Sequence, residues 1–322
     1  MMKVGVLTSG GDSPGMNACL RAIVRVGISR GLSIFGMHGG LQGLLDRSIF
    51  ELTARDVSNI VHRGGTFLTT GRSAEFRTEE GQKKAARILT DEEFDGLLAL
   101  GGNGTMQAMT KLCKLWDGLI IGLPGTIDND IQGTDYTIGF DTAVNNAVNA
   151  IDKIRDTAQA FDRTFLIEVM GRDSGHIAVH VGISCGAEAI AVPETPTDLN
   201  EIATIIKEGR ARGKTFAFII VAEGDEEGDA RTIAKKLSDA TGENCRVSVL
   251  GYIQRGGNPT QFDRILGTKL GAYAVECLKK GISGVMVGEM GGELVLTQFE
   301  DTWSSQKGLD LWLLGLVDEL SI

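Results

Sequence analysis

The segment Leu123-Pro124-Gly125-Thr126-Ile127-Asp128-Asn129-Asp130 follows the apolar run 119–122. Such a run, bounded by Gly and Pro, reads as a buried strand of a parallel sheet, so the segment stands where that strand ends. Ligands of open α/β sheets bind there. Asp128 and Asp130 stand at i and i+2 with Thr126 before them and Asn129 between them. In that arrangement one acid can take a proton from a hydroxyl while the other holds a metal ion, which suits phosphoryl transfer. The same residues would also make an ordinary polar loop, since Asp and Asn favour turns for backbone reasons. The choice rests on the rest of the chain.

The plan of apolar strand, glycines and helix recurs. Residues 3–8 are predicted as a strand, followed by Ser9-Gly10-Gly11-Asp12-Ser13-Pro14-Gly15-Met16-Asn17 and a helix to about Arg30. Small residues let the backbone approach a phosphate, and a helix N-terminus offers N–H groups and the positive end of its dipole. The turn is neither a Walker A loop nor a Gly-x-Gly-x-x-Gly fingerprint, and any α/β strand-turn-helix joint can look similar. Residues 94–100 form another strand, ending in Gly101-Gly102-Asn103-Gly104-Thr105 before a helix to about Leu115. Asn103 suits a helix N-cap. Residues 164–169 form a third, ending in Met170-Gly171-Arg172-Asp173-Ser174-Gly175-His176.

Elsewhere, residues 32–37 read as a strand and Gly39-Gly40-Leu41-Gln42-Gly43 as a flexible loop. The polar stretch 63–73, with Arg63 and Arg72, suits a loop over a nucleotide. Residues 139–161 form an amphipathic helix, with Phe140, Val144, Ala147, Val148, Ile151 and Ile154 on its apolar face. Strands at 189–192, 215–221 and near 246–250 alternate with helices at 199–212, 230–241 and 263–280. Strands at 285–288 and 293–296 and a helix at 309–320 close the chain. This alternation predicts an α/β fold, doubly wound, with mostly parallel sheets and helices on both faces.

With 322 residues and 42% hydrophobic content, the chain is long enough for two lobes of ordinary domain size. No run approaches the about eighteen apolar residues of a membrane span, and the start reads as a strand rather than a signal peptide, so a cytoplasmic location is expected. Cys19, Cys113, Cys185, Cys245 and Cys277 are odd in number and widely spaced in apolar surroundings, which reads as core thiols. A net charge of −10 disfavours nucleic acid and anionic membrane as main partners. An acidic protein that binds phosphates must gather arginine locally. Arg72 with Arg77, Arg163 with Arg172, and Arg246 with Arg255 are candidates, although any single arginine could be a solvated surface charge. His38, His62, His176 and His180 are not spaced as a metal set, and no Gly-x-Ser-x-Gly elbow offers a hydrolase nucleophile.

In order and spacing these segments, above all Pro-Gly-Thr-Ile-Asp-Asn-Asp, the Gly-Gly-Asp opening and Met-Gly-Arg, resemble the phosphofructokinase family of ATP-dependent bacterial type over practically the whole chain. The resemblance implies a nucleotide lobe of residues 1–138 plus 256–304 and a sugar-phosphate lobe of 139–255 plus 305–322. It implies transfer of the ATP γ-phosphoryl to the 1-hydroxyl of fructose 6-phosphate, with Asp128 as base, Thr126 and Arg172 steadying the transferring group, and Arg72 bridging the phosphates. Gly11, Arg72, Ser73, Gly102, Asn103, Gly104 and Thr105 would bind nucleotide, and Asn103 and Asp130 would hold Mg2+. Asp130, Met170, Gly171, Arg172, Glu223, Tyr252 and Arg255 would bind the sugar phosphate, completed by Arg163 and Arg246 from a neighbouring subunit of a homotetramer. Arg21, Arg25, Arg155, Glu188, Arg212 and Lys214 match effector-site positions for a nucleoside diphosphate or phosphoenolpyruvate. The chain departs from the family pattern in several places. Asn103 stands where Asp is usual, Tyr252 where His is typical, Ala54 where Arg is common, and Leu41 where an aromatic residue often packs the nucleotide. These departures leave room for a non-catalytic sensor or a kinase of another ketose phosphate. Gly104 and Gly125, where pyrophosphate users carry Asp and Lys, imply ATP as donor.

Overall fold

The computed structural model describes residues 1–321; Ile322, the last residue of the expected second lobe, lies outside the described residues. Chain order runs β1 (Met2–Ser9), α1 (Met16–Ser29), β2 (Leu32–Met37), α2 (Gly40–Leu45), β3 (Ile49–Leu52), α3 (Glu79–Asp91), β4 (Gly96–Gly101), α4 (Asn103–Leu112), β5 (Leu119–Pro124) and α5 (Phe140–Ala160). It continues through β6 (Thr164–Val169), α6 (His176–Cys185), β7 (Ala189–Ala191), α7 (Leu199–Ala211), β8 (Ala217–Ala222), α8 (Ala230–Thr241), β9 (Arg246–Val249), α9 (Gln261–Lys279), β10 (Val285–Met290), β11 (Glu293–Gln298) and α10 (Leu311–Leu320). The chain divides into two compact units. One is Met1–Thr142 with Arg255–Lys307, and the other is Ala143–Gln254 with the segment from Gly308 onward.

In the first unit the strand order is β11-β10-β5-β4-β1-β2-β3. Strands β2, β1, β4, β5 and β10 run parallel, and the edge strands β3 and β11 run antiparallel to their neighbours. The chain lays β2 on one side of β1 and later β4 on the other, so the winding reverses beside β1, the place where such sheets hold ligands. Register puts Ser9 opposite Gly101 and Gly101 opposite Pro124, so three loops leave the sheet in one row. Successive strand residues face opposite sides. Val4, Val6, Leu98, Leu100, Ile121 and Leu123 pack with α1 and α9, while Leu7, Leu97, Ala99 and Ile120 pack with α2, α3 and α4. Helix α9 approaches α1 closely because Gly271 has no side chain; a Cβ there would fall 2.6 Å from the Cys19 carbonyl oxygen.

Within this unit a buried carboxylate fixes the start of α5. Asp263, on α9, accepts the Gly139 N–H, the Thr142 N–H and the Thr142 hydroxyl, at 2.8, 2.8 and 2.5 Å. Acidic groups near a helix N-terminus satisfy its orphan donors. Burial pushes the Asp263 carboxyl up to about 6, against the pull of those donors.

In the second unit the order is β7-β8-β6-β9, all parallel. Leu166, Ile219 and Val221 pack on one face with α7 and α8. On the other face Gly182 of α6 lies so close to Ile190 that a Cβ would fall 2.2 Å from its Cδ1. Val169 stands level with Ala222, and Glu168 with Val249, so the loops after β6, β8 and β9 also leave at one end.

The structure corrects several expectations. Residues 39–43 are not a flexible loop: Leu41, Leu44 and Leu45 stand at helical spacing and are buried, which pulls Gly40–Leu45 into α2. The side chain of Leu41 therefore belongs to the core. Helix α4 stops at Leu112, short of Leu115. Cys19, Cys185 and Cys277 are buried thiols, but Cys113 and Cys245 are only half-buried. Two elements escaped the sequence reading. Edge strand β3 is too short for a period, whereas α3 carries a legible start, with Thr78 accepting the Gly81 N–H and Glu79 and Glu80 in the first turn.

Candidate functional site

The loop after β5 carries the residues on which the sequence reading turned. Asp128 is 5% exposed, and its N–H donates to Thr126 Oγ1 at 3.2 Å. Asn129 has φ 52°, the left-handed region that Asn tolerates better than most residues. This kink between the two acids turns successive side chains away from a strand's alternation. Thr137 fastens the loop's far side, donating from its hydroxyl to the Thr126 carbonyl at 2.7 Å and from its N–H to Asn129 Oδ1 at 2.9 Å.

Asn103 is not a cap. The α4 cap position is Gly102, and Asn103 is the first helical residue. Its Nδ2 instead donates to Asp130 Oδ2 at 2.7 Å, which joins the loop after β4 to the loop after β5. Its Oδ1 is buried with no hydrogen-bond partner among the described residues. A buried acceptor left open beside a carboxylate fits a cation. Among the described residues no group of three His, Cys, Asp or Glu could hold a metal. Gly104 opens onto space, while a Cβ on Gly125 would meet Met16 Cε at 2.9 Å.

At the end of β1, Gly10 takes φ 87°. A Cβ on Gly11 would fall 2.2 Å from Arg255 Nη2, so Gly11 leaves room for that guanidinium. Arg255 pairs with the Asp12 carboxylate at 2.9 Å, and it belongs to the first unit, beside the glycine loop. The stretch 63–73 is fastened over the same strand end. Thr8 Oγ1 donates to the Thr69 carbonyl at 2.6 Å, Thr70 Oγ1 to the Gly10 carbonyl at 3.1 Å, and Asn17 Nδ2 to the Arg63 carbonyl at 3.1 Å. Arg72 is exposed. The buried Ser73 hydroxyl donates to Gln42 and accepts the Phe76 N–H, and the buried Thr105 hydroxyl donates to the Ser9 carbonyl. Both hydroxyls hold loops in place.

In the second unit, Met170, Gly171 and Arg172 follow β6, with φ 143° at Gly171 and 54° at Arg172. The Arg172 N–H donates to Glu223 Oε1 at 2.8 Å, joining the loop after β6 to the loop after β8. Tyr252, after β9, is 80% exposed, and Arg246 is exposed at the start of that strand. The Arg163 guanidinium stacks on the Phe161 ring, 4.5 Å from its centroid.

Of the effector candidates, Arg155, Glu188 and Lys214 converge in the second unit. Glu188 accepts the Phe218 N–H, Arg155 lies 4.9 Å over the Phe218 ring, and Lys214 donates to the Ser321 carbonyl at 2.6 Å. Burial pushes the Glu188 carboxyl up, and Lys214 and Arg155 oppose the shift. Arg212 is exposed beside them in sequence. Arg21 and Arg25 lie on α1, where Arg25 donates to the Ala54 carbonyl at 3.1 Å.

Sequence reasoning missed Lys307. Its ammonium donates to Asn129 Oδ1 at 3.1 Å and to the Asp135 carbonyl at 2.7 Å. Burial pulls it down to about 8, opposed by Asp135 and Asp130. Local pattern could not have found it, because the polar stretch Gln306-Lys307-Gly308 reads as linker and its partner is 178 residues away.

A family model described as Phosphofructokinase matches residues 3–278. The chain is 48% identical over 322 residues to ATP-dependent 6-phosphofructokinase 1 of Thermus thermophilus, covering 100% of both. It is 47% identical over 323 residues to ATP-dependent 6-phosphofructokinase of Halalkalibacterium halodurans, again covering 100% of both. Among solved structures, phosphofructokinase from Saccharomyces cerevisiae matches with a TM-score of 0.87 and 31% identity, over 99% of this chain and 46% of that one. The chain thus spans about half the length of the yeast chain. Pyrophosphate-dependent phosphofructokinase from Marinobacter aquaeolei matches with a TM-score of 0.85 over 97% of this chain and 86% of that one; at 18% identity it bears on the fold alone.

Proposed function

Because the chain belongs to the phosphofructokinase family, we propose that it moves the γ-phosphoryl of ATP to the 1-hydroxyl of D-fructose 6-phosphate, giving fructose 1,6-bisphosphate in glycolysis. The observation that carries this reading is the pair of acids either side of a left-handed Asn129, on a loop level with two glycine-rich strand ends. Phosphoryl transfer is mostly positioning and charge neutralisation. Asp128 accepts the proton of the 1-hydroxyl as that oxygen bonds to phosphorus and ADP departs. Thr126 holds the Asp128 backbone and, with Arg172, steadies the transferring group; Arg72 bridges the phosphates. The first unit is the nucleotide lobe, with Gly11, Gly102, Gly104 and the loop 63–73 around ATP. In the second unit Met170, Gly171, Glu223 and Tyr252 take the sugar phosphate. Arg255, from its place beside Asp12, contributes a cation. Asn103 and Asp130 would hold Mg2+, which when bound neutralises charge on the phosphates.

The protein is read as a cytoplasmic homotetramer in which Arg163 and Arg246 complete a neighbour's sugar-phosphate site. Arg21, Arg25, Arg155, Glu188, Arg212 and Lys214 take an effector. No helix among the described residues is long and apolar enough to cross a membrane. One experiment tests the whole reading: a coupled assay with fructose 6-phosphate and ATP or pyrophosphate, with and without ADP and phosphoenolpyruvate, on protein whose mass is read by light scattering. Turnover with ATP, a tetrameric mass and saturation curves moved by the effectors are expected. Turnover with pyrophosphate alone would overturn the donor, a fully active monomer the assembly, and unmoved curves the effector site.

Asn103 carries a further expectation. Asn103→Asp adds a negative charge beside Asp130, and a divalent cation responds to charged oxygen. The magnesium concentration giving half-maximal rate should fall by about five- to tenfold, on the order of 1 kcal/mol. The magnesium needed for half the nucleotide-dependent thermal shift should fall in parallel. An unchanged requirement in both measurements would remove Asn103 from the metal site.

A further inference from the structure

We propose that Lys307 is a positioning residue for phosphoryl transfer, holding the side chain of Asn129 and through it the acids on either side. Asn129 is 3% exposed and left-handed, a conformation that costs a residue with a side chain on the order of 1 kcal/mol. Side-chain bonds keep it there. Its Oδ1 accepts the Thr137 N–H and the Lys307 ammonium, and its Nδ2 donates to the Asp135 carbonyl at 3.2 Å. The ammonium also donates to that same carbonyl, so it closes a ring through Asn129 and Asp135.

The segment that brings Lys307 is itself fastened to this loop. Gln132 donates from its N–H to the Thr302 carbonyl at 3.1 Å and from Nε2 to the Gln306 carbonyl at 3.0 Å. Rotation at Asn129 would displace Asp128 relative to Asp130, because they are its chain neighbours. A misplacement of about 1 Å in a reacting group can cost on the order of 10²-fold in rate. Through Asp128 a lysine that blocks this rotation acts on the rate; through Asp130, read as a magnesium ligand, it acts on substrate affinity to a lesser degree.

The inference rests on Asp128 being the base. Its test is a double-mutant cycle in the full chain: Lys307→Met, Asn129→Ala and the pair, read as kcat and as KM for ATP and fructose 6-phosphate. Lys307→Met should lower kcat about tenfold, a larger effect than on either KM, and Lys307→Arg should recover part of the loss. In the Asn129→Ala background, Lys307→Met should cost less than about twofold, because the residue it acts through is gone. The same loss in both backgrounds would overturn the proposal, as would a wild-type kcat for Lys307→Met. The cycle is repeated with Lys307→Gln; failure of both neutral variants to fold, read by circular dichroism, would assign the lysine to the fold and also overturn it. Asp128→Ala in parallel separates the two readings. If it keeps wild-type kcat, the base assignment fails; if it is inactive while Lys307→Met is fully active, only the Lys307 inference fails.

Discussion

Asp128→Ala should lower kcat by about 10²- to 10⁴-fold, the usual contribution of a general base, while fructose 6-phosphate still binds near its wild-type affinity. The asymmetry follows from what the carboxylate does. In the proposed reaction it takes a proton as the new oxygen–phosphorus bond forms, so its interaction with substrate grows in the transition state, and removing it acts on kcat. The backbone should survive the change. Asp128 is tied to Thr126 through its own N–H, and the loop is fastened by Thr137 and Asn129, none of which needs the Asp128 carboxylate. Steady-state kinetics and calorimetric titration with fructose 6-phosphate check both halves. A variant retaining kcat within about tenfold of wild type would remove Asp128 from the base role.

Asp263→Ala should cost about 3–5 kcal/mol of stability, because it leaves two backbone N–H groups and a hydroxyl without their buried acceptor at the start of α5. Urea unfolding followed by circular dichroism reads it, and a loss under about 1 kcal/mol would mean that water replaces the carboxylate. Asp263→Asn adds a pH signature. Burial raises the folded-state pKa from its ordinary value of 3.8 to about 6, so between those values the folded chain binds the proton that the unfolded chain has released. Stability from this group is therefore greatest below about pH 4 and falls as pH rises to about 6. The stability of wild type relative to Asp263→Asn should shrink across that window, and a constant difference would show that the carboxyl does not titrate there.

Much of the fold was legible because its signals are local. The strand at 164–169 and the helix at 230–241 were read to the residue, since each pairs an apolar run or period with a clear boundary. The glycine-rich loops at the ends of β1 and β4 were legible for the same reason: each follows a buried strand. Four features were not. Burial of Leu41, Leu44 and Leu45 outweighed the glycines at 40 and 43 and made 40–45 helix, a packing effect that the glycine count hid. Asn103 looked like a cap because capping is judged from chain position, yet its amide is drawn across to Asp130, which arrives 27 residues later. Arg255 stands beside Asp12 through a pairing 243 residues long. Lys307 carries no local mark at all. Its meaning exists only once the end of the chain lies against the loop of Asn129.

The interleaving of the first unit also sets a timetable for synthesis. Strands β1, β4 and β5 leave the ribosome within Met1–Thr142, but α9, which covers one side of them, is not complete until Lys279. At about 5–20 residues per second, the intervening stretch takes on the order of ten seconds to make. Throughout that interval Val4, Val6, Leu98, Leu100, Ile121 and Leu123 lack the packing partners that α9 supplies, and most of the second unit is translated meanwhile. For this chain neither unit closes as it is first translated: the first waits for Arg255–Lys307 and the second for the segment from Gly308 onward.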